Sequence, residues 1–237
     1  MTRLSVNINK YALVRNSRGG NQPNLIQIAK DCEKFGAQGI TIHPRQDERH
    51  IVTRTCKPLQ KIVTTEFNIE GFPDKRFMEM VLDVKPHQCT LVPDASNQLT
   101  SDHGWDTIRE KDFLTEAIGK LQEKGIRVSL FVDADEKMVA GAKVVEADRV
   151  ELYTGPFAKE YPHDAIFAIA PHIRAAQVAN EIGLGINAGH DLNLDNLKFY
   201  KSHIENLAEV SIGHAIICDA IYLGLETTIK KYLAELA

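Results

Sequence analysis

Three stretches share one grammar: "EKFGAQGITI" at residues 33–42, "QEKGIRVSLF" at 122–131 and "NEIGLGINAG" at 180–189. Each ends an amphipathic segment, passes a glycine (Gly36, Gly125 or Gly183) and enters a short β-branched or apolar run. Glycine is the residue that leaves a helix through a left-handed turn most cheaply, so each stretch reads as helix end, cap and buried strand. Working outward, the alternation continues over the whole chain. Runs at 4–8, 39–43, 67–71, 88–93, 127–133, 149–154, 184–189 and 209–213 have strand character. Apolar residues recur at helical spacing over 24–35, 53–64, 73–84, 107–124, 136–146, 162–182 and 195–203, and a last helix is expected from 215 to 236.

Eight βα units is the count of a closed parallel (β/α)8 or TIM barrel, an α/β fold that would take in residues 1–237 as a single domain. The rival is an open doubly wound sheet. Its dinucleotide-binding form carries a glycine-rich turn after the first strand, and "VNINKYALVRN" has none. Pro73 stands near a helix start as expected, whereas Pro58 inside the second helical segment marks a kink or a later start. Parallel strands covered by helices are expected to be almost continuously apolar. "VSLFV" and "GITI" obey, and "NIEG" and "VELY" break the rule with a carboxylate.

Composition narrows the function. With 43% hydrophobic and 25% charged residues the chain is an ordinary globular protein. A formal charge of -4 without a lysine or arginine run argues against a nucleic-acid binder. No stretch is apolar and long enough to span a membrane, and the first residues lack a basic patch followed by an apolar run. Cys32, Cys56, Cys89 and Cys218 are scattered without metal or disulfide spacing, so they read as reduced thiols, which fits a cytoplasmic location.

Barrel chemistry sits at the C-terminal ends of the strands. Asn7 and Asn9 fall there on strand one, His43 on two, Glu70 on three and Glu151 on six, while His190 follows strand seven and His214 strand eight. A carboxylate among apolar strand residues is costly to bury unless it is paired or protonated, so Glu70 and Glu151 are candidate acid/base groups. For Glu151 an ion pair with Arg149 or Arg127 is the structural alternative. His43 and His190 titrate near neutrality without large tuning. Lys10, Arg15 and Arg18 after strand one, with Arg45, Arg49 and His50 after strand two, are either solvated loop charges or phosphate-binding groups. "NAGHD" and "SIGHAI" place glycines where backbone amides cradle a phosphate in this fold, with Asp191 and Gly213 in those turns. Two phosphate sites around four titratable groups describe an enzyme that joins or rearranges phosphorylated metabolites. The same four groups also suit a divalent metal in a barrel hydrolase of phosphorylated metabolites. Residues 94–106, "DASNQLTSDHGWD", have the composition of a lid or of a long surface loop, and as a lid would bring Thr100 to the ligand.

The phrases "VNIN…RNSRGG", "GITIHPRQDERHI", "FNIEG", "TLVPD", "VSLFVDAD", "VELYTG", "INAGHDLN" and "SIGHAII" together resemble the pyridoxine 5'-phosphate synthase family, from Leu4 to the last helix. The resemblance implies condensation of 1-deoxy-D-xylulose 5-phosphate with 3-amino-2-oxopropyl phosphate to pyridoxine 5'-phosphate, phosphate and water, with no metal or organic cofactor. It implies that Glu70 and His43 act as general bases or acids, His190 as a proton donor and Glu151 as a stabiliser of charged intermediates. It places the aminoketone phosphate on Asn7, Arg18, Asp191, Gly213 and His214, and the deoxyxylulose phosphate on Asn9, Lys10, Arg45, His50 and Thr100. It also implies an octamer built from dimers, in which a neighbour's arginine completes the site. There are two departures from the family pattern, at three positions. Asn9 and Lys10 stand where many members have aspartate and histidine, and Asp191 stands where some have glycine. The Asp191 charge is expected to repel phosphate unless its side chain turns away.

Overall fold

In the computed structural model, which describes residues 1–94 and 100–237, eight parallel strands close on themselves in chain order. They are β1 (Arg3–Asn7), β2 (Gly39–Ile42), β3 (Glu66–Gly71), β4 (Gln88–Leu91), β5 (Arg127–Val132), β6 (Arg149–Tyr153), β7 (Gly185–Gly189) and β8 (Leu207–Ile212). The helices are α1 (Asn9–Asn16), α2 (Leu25–Lys34), α3 (Thr53–Ile62), α4 (Lys75–Val84), α5 (Lys111–Gln122), α6 (Glu136–Val144), α7 (Gly155–Glu160), α8 (Ala165–Glu181), α9 (Leu197–His203), α10 (His214–Leu223) and α11 (Leu225–Glu235). Closure comes from β1 on β8, with Arg3 opposite Glu209 and Val6 opposite Ile212. The TIM-barrel reading is correct. Among the described residues no helix is long and apolar enough to cross a membrane.

The expectation of continuously apolar strands is corrected. Each strand alternates, sending Leu4, Val6, Ile40, Ile42, Phe67, Ile69, Leu130, Leu152 and Val210 into one apolar core with the helices. The intervening residues fill the barrel interior, and most of them are polar. Ser5 Oγ lies 2.7 Å from Thr41 Oγ1, Asn68 Nδ2 donates to Thr41 Oγ1, and Thr90 Oγ1 donates to Asn68 Oδ1. Asn187 Nδ2 reaches across to Gln88 Oε1 at 3.4 Å. The apparent exceptions in "NIEG" and "VELY" therefore follow the rule of the whole barrel.

Several boundaries have local causes. Gly36, Gly125 and Gly183 all take positive φ, as their capping role requires. Side chains of Asn24, Asp74, Asp135 and Asp164 accept from backbone N–H groups at the starts of α2, α4, α6 and α8. Pro58 lies inside α3 rather than at its start. The expected final helix is two helices, broken at Gly224 with φ 76° and ψ 154°, a conformation only glycine adopts freely. The stretch after strand one, expected as a loop, is helix α1, because Tyr11 and Ala12 bury one side of it against the barrel. The lid segment 94–106 is only partly within the described residues, and what was expected of 95–99 lies outside them.

Candidate active site

At the C-terminal rim, the ends of β1, β2, β3, β6 and β7 and the start of α10 enclose a cavity of about 540 Å³. Its lining includes His43, Glu70, Glu151 and His190. The alternation that makes the interior polar also places Glu70 and Glu151 here, since both occupy inward positions one layer above the polar floor. Glycine makes the room. A Cβ on Gly189 would collide with Glu151 Oε1, and one on Gly213 would come within 3.0 Å of Asn7.

Glu70 is gripped at both carboxyl oxygens, Asn7 Nδ2 donating to Oε2 and Ser211 Oγ to Oε1, each at 3.3 Å. Burial pushes its pKa up to about 8; the Ser211 hydroxyl opposes the rise, and Asp94 and Glu209 add to it. Glu151 is likewise raised well above the carboxylate range by burial and by Glu70, with the Thr90 hydroxyl acting the other way. Two buried carboxyl groups that feel each other cannot both ionise cheaply, so the floor holds protons at neutral pH. The alternative ion pairing of Glu151 is not seen. Arg127 binds Glu66 at the opposite end of the barrel, where Arg3 joins it at 2.9 Å, and Arg149 donates to Asn187 Oδ1.

His43 has the opposite environment. Burial, reinforced by Arg45, His50, Arg49 and Arg76, lowers its pKa to about 3, so the ring is neutral at physiological pH. Asn9 Oδ1 accepts from the His43 backbone N–H at 2.9 Å and so sets the turn that carries it. His50 is also held low, at about 4, by burial and by Lys10, Arg49 and Arg45, and its Nδ1 is buried without a protein partner. Arg45 is buried beside Asp94, with Nη1 and Oδ2 2.7 Å apart, and Ser101 Oγ donates to the same oxygen. Among the described residues no three His, Cys, Asp or Glu side chains converge as a metal would require.

The sequence matches the family described as Pyridoxal phosphate biosynthesis protein PdxJ over residues 4–237. A protein of Cytophaga hutchinsonii named pyridoxine 5'-phosphate synthase is 59% identical over 236 residues, covering 100% of this chain and 99% of that protein. The chain belongs to the PdxJ family. Another relative of that name, from Flavobacterium johnsoniae, is 55% identical over 236 residues and is covered, like this chain, over 100% of its length. Phosphoribosylanthranilate isomerase of Thermotoga maritima is similar in fold alone, with a TM-score of 0.62 at 12% identity, covering 100% of this chain and 98% of that one.

The geometry of this PdxJ chain gathers most of the residues singled out in its sequence. Asn7, Asn9, Lys10, Arg45, His50, Thr100, Asp191, Gly213 and His214 all line the cavity. Arg18 does not. It is exposed beyond the end of α1, and Arg15 turns to Asn16 instead. Thr100 Oγ1 lies 3.0 Å from His190 Nε2, and Asp191 Oδ2 lies 3.0 Å from His190 Nδ1. Ser211, Phe131 and Arg49 also line the site. Ser211 was legible as the inward residue two places before Gly213. The contribution of Tyr153, whose ring stands edge-on to His190 at 5.2 Å, was not.

Proposed function

We propose that this chain is a pyridoxine 5'-phosphate synthase that joins 1-deoxy-D-xylulose 5-phosphate to 3-amino-2-oxopropyl phosphate within one barrel domain. The observation that carries the reading is the pairing of proton-holding Glu70 and Glu151 with the neutral, buried His43 in one cavity whose mouth is cationic. Imine formation, loss of phosphate, addition of water and dehydrating ring closure each move protons, and the cavity holds both acceptors and donors for them. His43 and Glu70 exchange protons at the reacting carbons, Glu151 stabilises charge that develops above the floor, and His190 donates at the rim. Lys10, Arg45 and His50 bind one phosphate, while Asn7, Asp191 through its backbone, and the Gly213–His214 turn at the start of α10 face the other. No metal or organic cofactor enters this scheme. The free, mutually separated cysteines and the absence of a basic surface run support a cytoplasmic enzyme acting on small phosphorylated substrates, not on nucleic acid or membranes. The family resemblance supports an octamer in which a neighbour's arginine completes the site; Arg18, expected on the aminoketone phosphate, lies outside its own cavity.

The test incubates chelator-treated protein with both phosphorylated substrates and follows pyridoxine phosphate and inorganic phosphate together. Equal release supports the synthase. Phosphate without the pyridine product refutes it.

A further inference from the structure

His190 and Asp191 are consecutive non-glycine residues with positive φ, 83° and 59°. Such backbone is uncommon for any side chain and persists only when something holds it. Thr154 does so here, its hydroxyl donating to the carbonyl of Gly189 at 2.6 Å and contacting that of His190. Glycine at 191 would meet the backbone requirement at less cost, so the carboxylate itself needs a reason. It is aimed at the imidazole. Asp191 Oδ2 lies 3.0 Å from His190 Nδ1, an approach not yet aligned as a full hydrogen bond, while the other ring nitrogen faces Thr100 and the cavity.

We propose that Asp191 is a positioning residue that keeps the proton on His190 Nδ1 and so presents Nε2 to the substrate as the proton-donating atom. This rests on the role given to His190 above. When the doubly protonated ring donates from Nε2, what remains is the Nδ1–H tautomer, the one the carboxylate favours. The remaining groups around the pair fit. Asp191 is held below the usual aspartate range chiefly by its contact with His190, with His214 of α10 and Lys10 of α1 adding to this and partial burial opposing it. Tyr153 of β6 offers a ring edge rather than a charge, and its phenol is raised by burial and then by Asp191, Asp102 and Asp133, so it stays neutral. Lys10 supplies the cation that offsets the anion of Asp191 beside a phosphate-binding rim.

The experiment compares the full-length protein with Asp191→Gly and Asp191→Asn, all three side chains being compatible with positive φ at this position. Imidazole nitrogen-15 spectra, with His190 assigned by His190→Gln, read the tautomer directly without substrate. We expect the Nδ1–H form in the unaltered protein and a shift to Nε2–H in Asp191→Gly. The turnover number should fall about tenfold in both variants, while KM for the two phosphates is unchanged or lower because a carboxylate has left. The same tautomer in the unaltered protein and Asp191→Gly overturns the proposal, as does a rise in KM with turnover intact. If the unaltered protein makes no pyridoxine phosphate, the functional reading fails, and the spectra still decide the positioning of His190.

Discussion

Replacing Glu70 by glutamine should make the protein more stable as pH rises while abolishing turnover. The pKa of the buried carboxyl is raised from 4.5 to about 8, so between those values the folded chain keeps a proton that the unfolded chain releases. Stability from this group is fully present below the unfolded value and is lost as pH climbs toward 8. At about 1.36 kcal/mol per pH unit per group, moving from pH 4.5 to pH 7 removes roughly 3 kcal/mol. Glutamine has nearly the same shape, accepts from Ser211 or Asn7 through its oxygen, and does not ionise, so Glu70→Gln escapes that loss. Urea melts of both proteins between pH 4.5 and 8, at one protein concentration, should therefore diverge steadily, the variant gaining about 3 kcal/mol relative to the parent by pH 7. Glu151 shares the site, and Glu151→Gln should show the same sign. The assay for function is the pH dependence of kcat/KM, whose acidic limb should rise toward about pH 8 in the parent, where Glu70 ionises. Parallel stability curves would refute the reasoning, because they would mean that Glu70 is already ionised in the folded barrel.

Three further outcomes follow from particular contacts. Gly189→Ala would set a methyl group against Glu151 Oε1 and force the carboxylate from its place, so turnover should drop at least about a hundredfold in steady-state assays while the barrel still folds by circular dichroism. Lys10→Ala should raise KM for deoxyxylulose phosphate about tenfold with little change in turnover; unchanged affinity would make Lys10 a solvated amine. Gly224→Ala places a side chain at φ 76° and should cost about 1–2 kcal/mol in urea melts without touching the site, and no loss would mean that α10 and α11 are not joined as described.

The barrel was legible because its evidence is local. A glycine at positive φ after three of the amphipathic segments and a strand behind it are signals that need no distant partner, and Gly36, Gly125 and Gly183 behave as their neighbours dictate. The same locality explains the boundary errors. Gly224 was overlooked inside an apolar helical run, and α1 was hidden because its helix depends on burying Tyr11 and Ala12 against a barrel the local sequence does not contain.

Sequence by itself determined the fold class, the family and most of the lining of the cavity, since strand ends and glycine turns are fixed by chain order and period. It also contained the polar interior, in the every-second-residue series Ser5–Asn7, Thr41–His43, Asn68–Glu70 and Glu209–Ser211–Gly213, although apart from its neighbours each carboxylate looked like an exception. Only the tertiary structure decided what those residues do to one another. Proton affinity depends on burial and on charges from other strands, which raised Glu70, lowered His43 and left Glu151 without an arginine. Side-chain direction depends on the closed ring of strands, which left Arg18 outside the cavity and set Asp191 Oδ2 against His190 Nδ1.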